Sequence, residues 1–353
     1  MSEFVTPDVK RTRSSLKIDR ETESSPKFVI PPSPFLKQLG YGTGVNVYLL
    51  ERFSPLKDSY NSPWAVKKIN RKTEFTEFSK RLSYEADILK SLKHPNIIGY
   101  RSYGKGKDGM PCLMMESGEK SLLSIIECHC ENELGPLPAA NILKVCSDVA
   151  SALQYLHVTK RLLHGDIKSA NVLIMGDFKT VKLCDFGVAV KLTEKGEACN
   201  DEDYVGTECW SASEVFTGDK ITTKTDMFAF GLIIWEMIAL SPPHVGKLNF
   251  EEDLDEQASQ EDIEIWEAKQ AKCDAEYFKS LGSRPQIPLS ELDEEYLPVM
   301  EIFYACTESD PNLRPSAKQI VHSLNCLDEI HKSIGVKDEK EREVGEDKGA
   351  TPI

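Results

Sequence analysis

The chain has 353 residues, of which 40% are hydrophobic, and a formal net charge of −14 at pH 7. This length and hydrophobic share suffice for a sizeable core. The negative charge would repel phosphate backbones and argues against nucleic acid as a partner. The longest apolar stretch, residues 228–240, is too short to cross a bilayer and predicts a buried helix, so we expect no membrane interaction.

Two further features indicate the compartment. Residues 1–20 are polar and lack the apolar region of a secretion signal. The ten cysteines are scattered and form no C-x-x-C pair, which predicts reduced thiols rather than disulfides. We therefore expect the protein in the cytoplasm, the nucleus or both.

The first segment, residues 1–34, is rich in Ser, Thr, Pro and mixed charge and is poor in apolar residues. Such a composition cannot bury enough surface to offset the entropy of ordering, so it predicts a flexible arm. Proline follows Thr6, Ser25 and Ser33, which makes each a candidate for an upstream proline-directed kinase. Such pairs are also common in disordered arms without a regulatory role.

From residue 35 to residue 115, β-type runs surround one helical stretch at residues 78–92, a pattern typical of a small sheet-rich unit. A glycine-rich segment near its start is suited to placing backbone amides against phosphates. Its candidate nucleotide-binding residues are Gly40, Gly42, Gly44 and Val47. Val45 stands where the usual pattern has a third glycine, and the segment alone is equally consistent with a plain β-turn.

The next β-type run contains Ala65 and Lys67 in the segment AVK. A lysine in this setting can neutralise the α- and β-phosphates of a nucleotide as a point charge. It needs a carboxylate to hold it in place, and Glu85 in the following helical stretch is the expected partner. Asp87 is the nearest competitor, but the apolar pair that follows it defines the buried face and fits Glu85 better.

From residue 121 onward the periodicity is mostly helical, most clearly at residues 139–157. The strongest chemical signal is the segment HGDIKSAN at residues 164–171. Its spacing predicts Asp166 as acceptor of a substrate hydroxyl proton, Lys168 as a contact of the γ-phosphate and Asn171 as a magnesium ligand. Further along, Asp185 in the segment CDFG supplies a carboxylate that can bridge Mg²⁺ to phosphates. Together these motifs predict ATP and Mg²⁺ as cofactors.

On these motifs, residues 35–328 resemble the eukaryotic protein kinase domain. The resemblance implies an α+β, two-lobed fold, with a small antiparallel-sheet N-lobe at residues 35–115 and a larger helical C-lobe at residues 121–328. The charged residues 329–353 remain as a C-terminal tail.

The resemblance extends to further landmarks. It implies Met115 as the gatekeeper and Glu116 as the start of the hinge that hydrogen-bonds adenine. Residues 226–231 look like the helix that anchors the catalytic loop. Arg314 looks like the arginine that pairs with the glutamate closing the activation segment, here Glu214.

Four segments narrow the match, namely GYGTGVNVY, SPWAVKKIN, GEKSL and LLHGDIKS. They resemble a MAP-kinase-kinase-like group of serine/threonine kinases. The resemblance implies mitotic activity, phosphorylation by a cyclin-dependent kinase, with Thr6 the favoured site, and stress-activated MAP kinases among the protein substrates. Lys168 supports serine and threonine as acceptors, while dual specificity stays open.

The catalytic loop departs from the family at Gly165, where most kinases have an arginine that binds a phosphate on the activation loop. Between Thr193 and Thr207 the segment contains no Ser or Thr, and Tyr204 is its only hydroxyl-bearing residue. We therefore expect activity to be controlled outside this loop, through the N-terminal arm or a partner.

The acidic insert, residues 251–276, contains eleven Asp and Glu residues against two lysines. It is consistent with a solvated, partly disordered loop or with a docking surface for basic partners. At the C-terminus, Thr351 and Ile353 fit the pattern [ST]-x-hydrophobic, which a PDZ domain binds as an added strand. This predicts a PDZ-domain partner.

The altered glycine segment and Gly165 also suit a pseudokinase that binds ATP only as a folding ligand and serves as a scaffold. All the residues expected to contact phosphate or metal are intact, which favours an active enzyme. A small-molecule kinase of similar fold is disfavoured because the activation segment is complete and Arg314 is present.

Overall fold

A computed structural model of the chain describes residues 37–42, 45–54, 59–69, 75–106, 108–199, 204–245, 260–288, 292–327 and 329. The predicted arm with Thr6, the glycine-rich turn with Gly44 and the C-terminal motif with Thr351 and Ile353 lie outside these residues, as does the first part of the acidic insert.

The N-lobe is a five-stranded antiparallel sheet with one helix against it. The strands lie in the order β1-β2-β3-β5-β4 and span Lys37–Gly42 (β1), Val45–Ser54 (β2), Ser59–Ile69 (β3), Tyr100–Lys105 (β4) and Pro111–Glu116 (β5). Helix α1 spans Phe75–Ser91 and packs on β4 and β5. Its buried residues include Leu82, Glu85, Ala86 and Leu89, a spacing that turns one helical face inward.

The C-lobe is mainly helical, as its apolar periodicity predicts. Its helices span Leu122–Glu131 (α2), Ala139–Gln154 (α3), Ser213–Thr217 (α4), Thr223–Ala239 (α5), Gln260–Ser280 (α6) and Leu297–Cys306 (α7), and residues 317–327 are also helical. Helix α3 continues into a π-helical segment, Tyr155–Lys160. One hydrophobic core extends from this lobe into the N-lobe.

Helix α5 forms the centre of the C-lobe, and all its residues from Thr225 to Ile238 are buried. A helix that is apolar on all sides is stable only when it is enclosed. Gly231 allows α7 to approach closely, because a Cβ there would lie 2.6 Å from Cγ2 of Thr307. The buried helix predicted at residues 228–240 is confirmed, and among the helices of the described segments none has the length and hydropathy to span a bilayer.

Two small sheets carry the polar loops of the C-lobe. Strands β6 (Lys120–Ser121), β8 (Val172–Met175) and β9 (Thr180–Leu183) form one sheet in the order β6-β8-β9. Strand β7 (Leu162–Leu163) pairs with β10 (Val190–Lys191) in the other. Strand β7 leads into the polar residues 164–171, and β9 leads into residues 184–187. None of the ten cysteines is joined in a disulfide.

The structure contradicts one of the two interpretations of the acidic insert. The prediction of a loop is wrong for residues 260–276, which lie in α6. The more protected of its described positions recur mostly every three or four residues, and they are Ile263, Trp266, Gln270, Cys273, Asp274, Tyr277 and Ser280. The many charged residues around these positions obscure the helical spacing, which explains the error.

Candidate active site

A buried lysine lies between two carboxylates at the junction of the lobes. Lys67 projects from β3, and its Nζ lies 2.9 Å from Oε2 of Glu85 on α1 and 2.8 Å from Oδ1 of Asp185. The side chains of Lys67 and Glu85 are 8% and 3% exposed, whereas that of Asp185 is 41% exposed. The partner that the sequence predicts for Lys67 is therefore the one found, and Asp87 is exposed.

The charge states of Lys67, Glu85 and Asp185 depend on burial and on the attraction between the lysine and the two carboxylates. Burial alone would lower the pKa of Lys67, but Asp185 and Glu85 outweigh it and raise that pKa above its usual value. Burial raises the pKa of the Glu85 carboxyl to about 7, against the opposing effect of Lys67. Desolvation would also raise the pKa of Asp185, yet Lys67 holds it below its ordinary value. Lys67 and Asp185 are therefore charged at neutral pH.

The loop at residues 164–171 brings its three predicted site residues together. Nζ of Lys168 lies 2.8 Å from Oδ2 of Asp166. The Asn171 side-chain amide donates to Oδ2 and to the backbone oxygen of Asp166, at 2.9 and 2.8 Å. Thr207 donates its hydroxyl to Oδ1 of Asp166 at 2.6 Å and accepts from Lys168 at 2.8 Å. The Asp166 carboxylate therefore already binds a hydroxyl group, as proton acceptance requires.

Helix α5 holds the loop at residues 164–171 in place. Asp226, which is 2% exposed, accepts hydrogen bonds from the backbone N–H groups of His164 and Gly165 at 2.9 and 3.0 Å. Burial would raise the pKa of Asp226, but the contact with His157 at 2.8 Å, the nearby His164 ring and the bond from the Gly165 N–H keep it below its usual range. An ionised carboxylate thus anchors the loop, in agreement with the role that the sequence predicts for this helix.

The loop that carries Asp185 is attached directly to the first. The backbone N–H of Cys184 donates to the carbonyl of Asn171 at 3.0 Å, and the ring of His164 contacts the carbonyl of Cys184 at 3.1 Å. Asp185 has φ of 64° and accepts from the N–H of Gly187 at 3.3 Å. The loop that carries Asp166 and Asn171 and the loop that carries Asp185 are therefore adjacent.

The oxygen donors on these two adjacent loops suit a hard divalent cation. Asn171 uses its amide nitrogen on Asp166, so its side-chain oxygen remains for a metal, and Asp185 offers carboxylate oxygens. Magnesium prefers such oxygen ligands. Within the described residues no group of three His, Cys, Asp or Glu side chains forms a separate metal cluster.

The predicted nucleotide-binding residues of the N-lobe lie on adjacent strands. Val47 pairs with Lys67, and Ala65 pairs with Met115. Gly40 and Gly42 lie in β1, opposite the start of β2. Glu116 ends β5, and its carboxylate binds Lys182 at 3.0 Å and the N–H of Gly99 at 3.0 Å. This side chain thereby ties the end of β5 to the C-lobe, a contact that the motif did not reveal.

Two further residues of the site, Thr207 and Glu236, were not predicted from the sequence. Thr207 lies 41 residues from Asp166, and a hydroxyl partner at that distance has no local signature. Glu236 on α5 accepts from Ser169 at 2.7 Å and from the indole N–H of Trp210 at 2.6 Å. It links the catalytic loop to the segment after Thr207. Its position inside an apolar run was the available signal, because a buried carboxylate needs partners.

The comparisons with known proteins agree with this geometry. The model of the protein kinase domain matches residues 34–324, and the chain belongs to the protein kinase family. It is 49% identical over 307 residues to the human lymphokine-activated killer T-cell-originated protein kinase, an alignment that covers 85% of this chain and 92% of that protein. The predicted resemblance to protein kinases and the α+β, two-lobed fold are confirmed. Protein kinases use ATP and a divalent metal ion and act on proteins.

Other relatives match over a shorter segment. The chain is 34% identical over 180 residues to cell division control protein 7 of Schizosaccharomyces pombe and 32% identical over 180 residues to MAP3K epsilon protein kinase 1 of Arabidopsis thaliana. These alignments cover 51% of this chain and 16% and 13% of those longer proteins.

Replacing Glu85 with Gln tests the pair with Lys67. Above pH 7, where the Glu85 carboxyl is ionised, the neutral amide cannot replace the charge that holds the ammonium, so we expect kcat/KM for ATP to fall about 10- to 100-fold there, which corresponds to one charged hydrogen bond. Steady-state kinetics on the full chain measures this. Asp87→Asn, an exposed carboxylate two residues along α1, is the matched control, and equal losses in both variants would contradict the assignment.

A second prediction concerns pH. Burial raises the pKa of Glu236 from its ordinary 4.5 to about 7. The folded chain thus holds a proton that the unfolded chain has released, and the resulting stabilisation is full below pH 4.5 and is lost as pH rises through 7. The free energy of unfolding of wild type relative to Glu236→Gln should fall by roughly 2–3 kcal/mol between pH 5 and pH 8. Urea denaturation tests this, with the exposed Glu301→Gln as control; a difference independent of pH would refute it.

Proposed function

We propose that the protein is a serine/threonine protein kinase that transfers the γ-phosphate of Mg-ATP to protein hydroxyl groups. The observation that carries the proposal is the short bond from the Thr207 hydroxyl to Asp166, next to Lys168. A substrate hydroxyl in the same place would be oriented for attack and could pass its proton to the carboxylate.

In this proposal each charged side chain has one task. Lys67 binds the α- and β-phosphates and is held in position by Glu85, while Lys168 contacts the γ-phosphate. Asn171 and Asp185 hold the magnesium ion through oxygen atoms. When bound, the ion neutralises charge that develops on the phosphate oxygens. Asp166 accepts the proton of the attacking hydroxyl.

The remaining nucleotide contacts are assigned to the N-lobe. Gly40, Gly42 and Gly44 would cover the phosphates, and Val47 and Ala65 would contact the adenine ring from above. Met115 is 6% exposed at the end of β5, where the gatekeeper is expected. The backbone beside Glu116 would hydrogen-bond adenine, and the bond from Glu116 to Lys182 supports this by fixing the strand end.

The choice of acceptor and substrate rests on resemblance. Lys168 in the catalytic loop supports serine and threonine as acceptors, and we leave tyrosine as an additional acceptor to the experiment below. The likeness of four segments to MAP-kinase-kinase-like enzymes supports a role in mitotic and stress signalling, with MAP kinases among the protein substrates.

The termini supply the proposed regulation and partners. We assign Thr6 as the site of an upstream proline-directed kinase, because proline follows it in a polar arm. We assign Thr351 and Ile353 as a PDZ ligand. We place the protein in the cytoplasm, the nucleus or both, which is supported by ten free cysteines, a state typical of reducing compartments.

Phosphate transfer to a generic basic protein tests the proposed function. Radiolabelled ATP should label the substrate on serine and threonine, and Asp185→Asn should abolish the label because the metal carboxylate is lost. Magnesium-dependent nucleotide binding without any transfer would instead identify a pseudokinase scaffold. Label on tyrosine as well would extend the specificity.

The PDZ assignment has its own test. The full chain should bind at least one member of a panel of isolated PDZ domains, and a chain that lacks Ile353 should bind at least about tenfold more weakly, because the last side chain fills the domain's pocket. Equal binding by both chains would refute the assignment.

A further inference from the structure

In the described part of the activation segment, residues 185–199 and 204–214, backbone hydrogen bonds hold the segment against the C-lobe at several points. Strand β10 pairs with β7, and the N–H of Leu192 donates to the carbonyl of Arg161 at 2.8 Å. The N–H of Ala198 donates to the carbonyl of Ile221 at 2.8 Å. None of these bonds needs a phosphate group.

Gly165 stands at the position where most other kinases have a phosphate-binding arginine. Its φ is 79°, a left-handed conformation that side chains disfavour. A Cβ at this position would lie 2.9 Å from the carbonyl oxygen of Val188. The backbone at Gly165 therefore does not accommodate an arginine side chain. The contact between this arginine and a phosphate, which other kinases use, cannot form here.

An aromatic ring occupies the neighbouring space instead. Cε2 of Tyr204 lies 3.9 Å from the place of a Gly165 Cβ. The same ring covers Gly206, whose Cβ would lie 2.7 Å from the Tyr204 hydroxyl. Tyr204 also packs against an apolar cluster below the segment, formed by Leu163, Val190, Leu192, Ala198 and Ile221.

The place of Tyr204 in the chain connects this ring to the chemistry. Three residues further on, Thr207 donates to Asp166 at 2.6 Å, and Ser211 donates to the carbonyl of Thr207 at 3.0 Å. A ring that the apolar cluster holds beside Gly165 therefore positions the segment that borders the Asp166 carboxylate.

We propose that Tyr204 is a positioning residue that seats the activation segment on the catalytic loop at Gly165 and replaces the arginine–phosphate contact of other kinases. The inference rests on the proposed phosphate transfer. It explains how the segment reaches an active arrangement although its central part, between Thr193 and Thr207, has no serine or threonine to phosphorylate.

The test compares the full chain with Tyr204→Phe, which keeps the ring, and Tyr204→Ser, which removes it. For Tyr204→Ser we expect kcat to fall at least about tenfold, while KM for ATP and the nucleotide-induced rise in Tm stay unchanged. Trypsin should also cleave faster after Lys191 and Lys195. Tyr204→Phe should keep kcat within about threefold of wild type. Tyr304→Ser, on an exposed face of α7, is the matched control.

A second variant guards against a folding defect in Tyr204→Ser. Gly206→Ala would push a methyl group into the Tyr204 ring and should reproduce the loss of kcat and the faster cleavage. An unchanged kcat in both variants, an equal loss in Tyr204→Phe, or a parallel loss of ATP affinity would overturn the proposal. If wild type transfers no phosphate, the proposed function fails, and the cleavage rates still decide whether Tyr204 holds the segment.

Discussion

Replacing Asp166 with Asn is expected to lower kcat about 10²- to 10⁴-fold, the usual contribution of a positioned general base. The carboxylate accepts a hydroxyl at 2.6 Å and is paired with Lys168 at 2.8 Å. An amide of the same size keeps the shape of the site but cannot accept a proton. Single-turnover transfer to a protein substrate measures the loss.

Nucleotide affinity distinguishes this effect from damage to the fold. Asp166 does not contact Lys67 or Asp185 in the hydrogen bonds described above, so the variant should bind Mg-ATP about as tightly as wild type. Asp177→Asn, an exposed turn residue close in sequence, is the control and should keep full activity. A variant Asp166→Asn with wild-type kcat would remove Asp166 from the mechanism.

The largest effect on stability is expected from the ion pair of Arg314 and Glu214. Two nitrogens of Arg314 contact the two oxygens of Glu214 at 2.6 and 3.0 Å, and the residues are 1% and 3% exposed. Arg314→Met should lower the free energy of unfolding by about 3–5 kcal/mol, because it leaves a buried carboxylate without its charged partner. Chemical denaturation measures this.

Two companion variants sharpen the result. The double variant Arg314→Met, Glu214→Gln should lose less than the sum of the single variants, since it no longer strands a charge. Arg161→Met breaks an exposed pair with Glu194 at 3.1 Å and should leave the denaturation midpoint unchanged. Equal losses for the exposed and the buried pair would contradict the account.

The residues of the candidate site were predictable because each lies within a short segment of fixed spacing. Asp166, Lys168 and Asn171 fall within six positions, and a loop of that length has few ways to present them. Glu85 could be selected over Asp87 from helical periodicity alone. The contact of Glu85 with Lys67 and the adjacency of the two polar loops then follow from the fold that these motifs predict.

Contacts between distant segments were not predictable in the same way. Thr207 reaches Asp166, and Trp210 reaches Glu236, only because α5 and the activation segment pack together. No local pattern encodes such a distance. The position of Tyr204 beside Gly165 was not predictable for the same reason. The sequence shows that an arginine is missing, but only the structure shows which side chain lies near its position.

The prediction for the acidic insert failed for a different reason, because its charged composition was given more weight than its helical periodicity. High charge favoured a loop, yet the protected positions from Ile263 to Tyr277 recur at helical spacing and residues 260–280 form a helix. Partial burial along one face is enough to stabilise a helix whose remaining positions are mostly charged.

Calorimetry of nucleotide binding tests the central claim most directly, that Lys67, Asn171 and Asp185 form one site for Mg-ATP. Titration of the full chain with a non-hydrolysable ATP analogue should show one site per chain that tightens when Mg²⁺ is added. Asp185→Asn should lose this magnesium dependence. Binding that is unaffected by Mg²⁺, or equally magnesium-dependent in Asp185→Asn, would contradict the site described here.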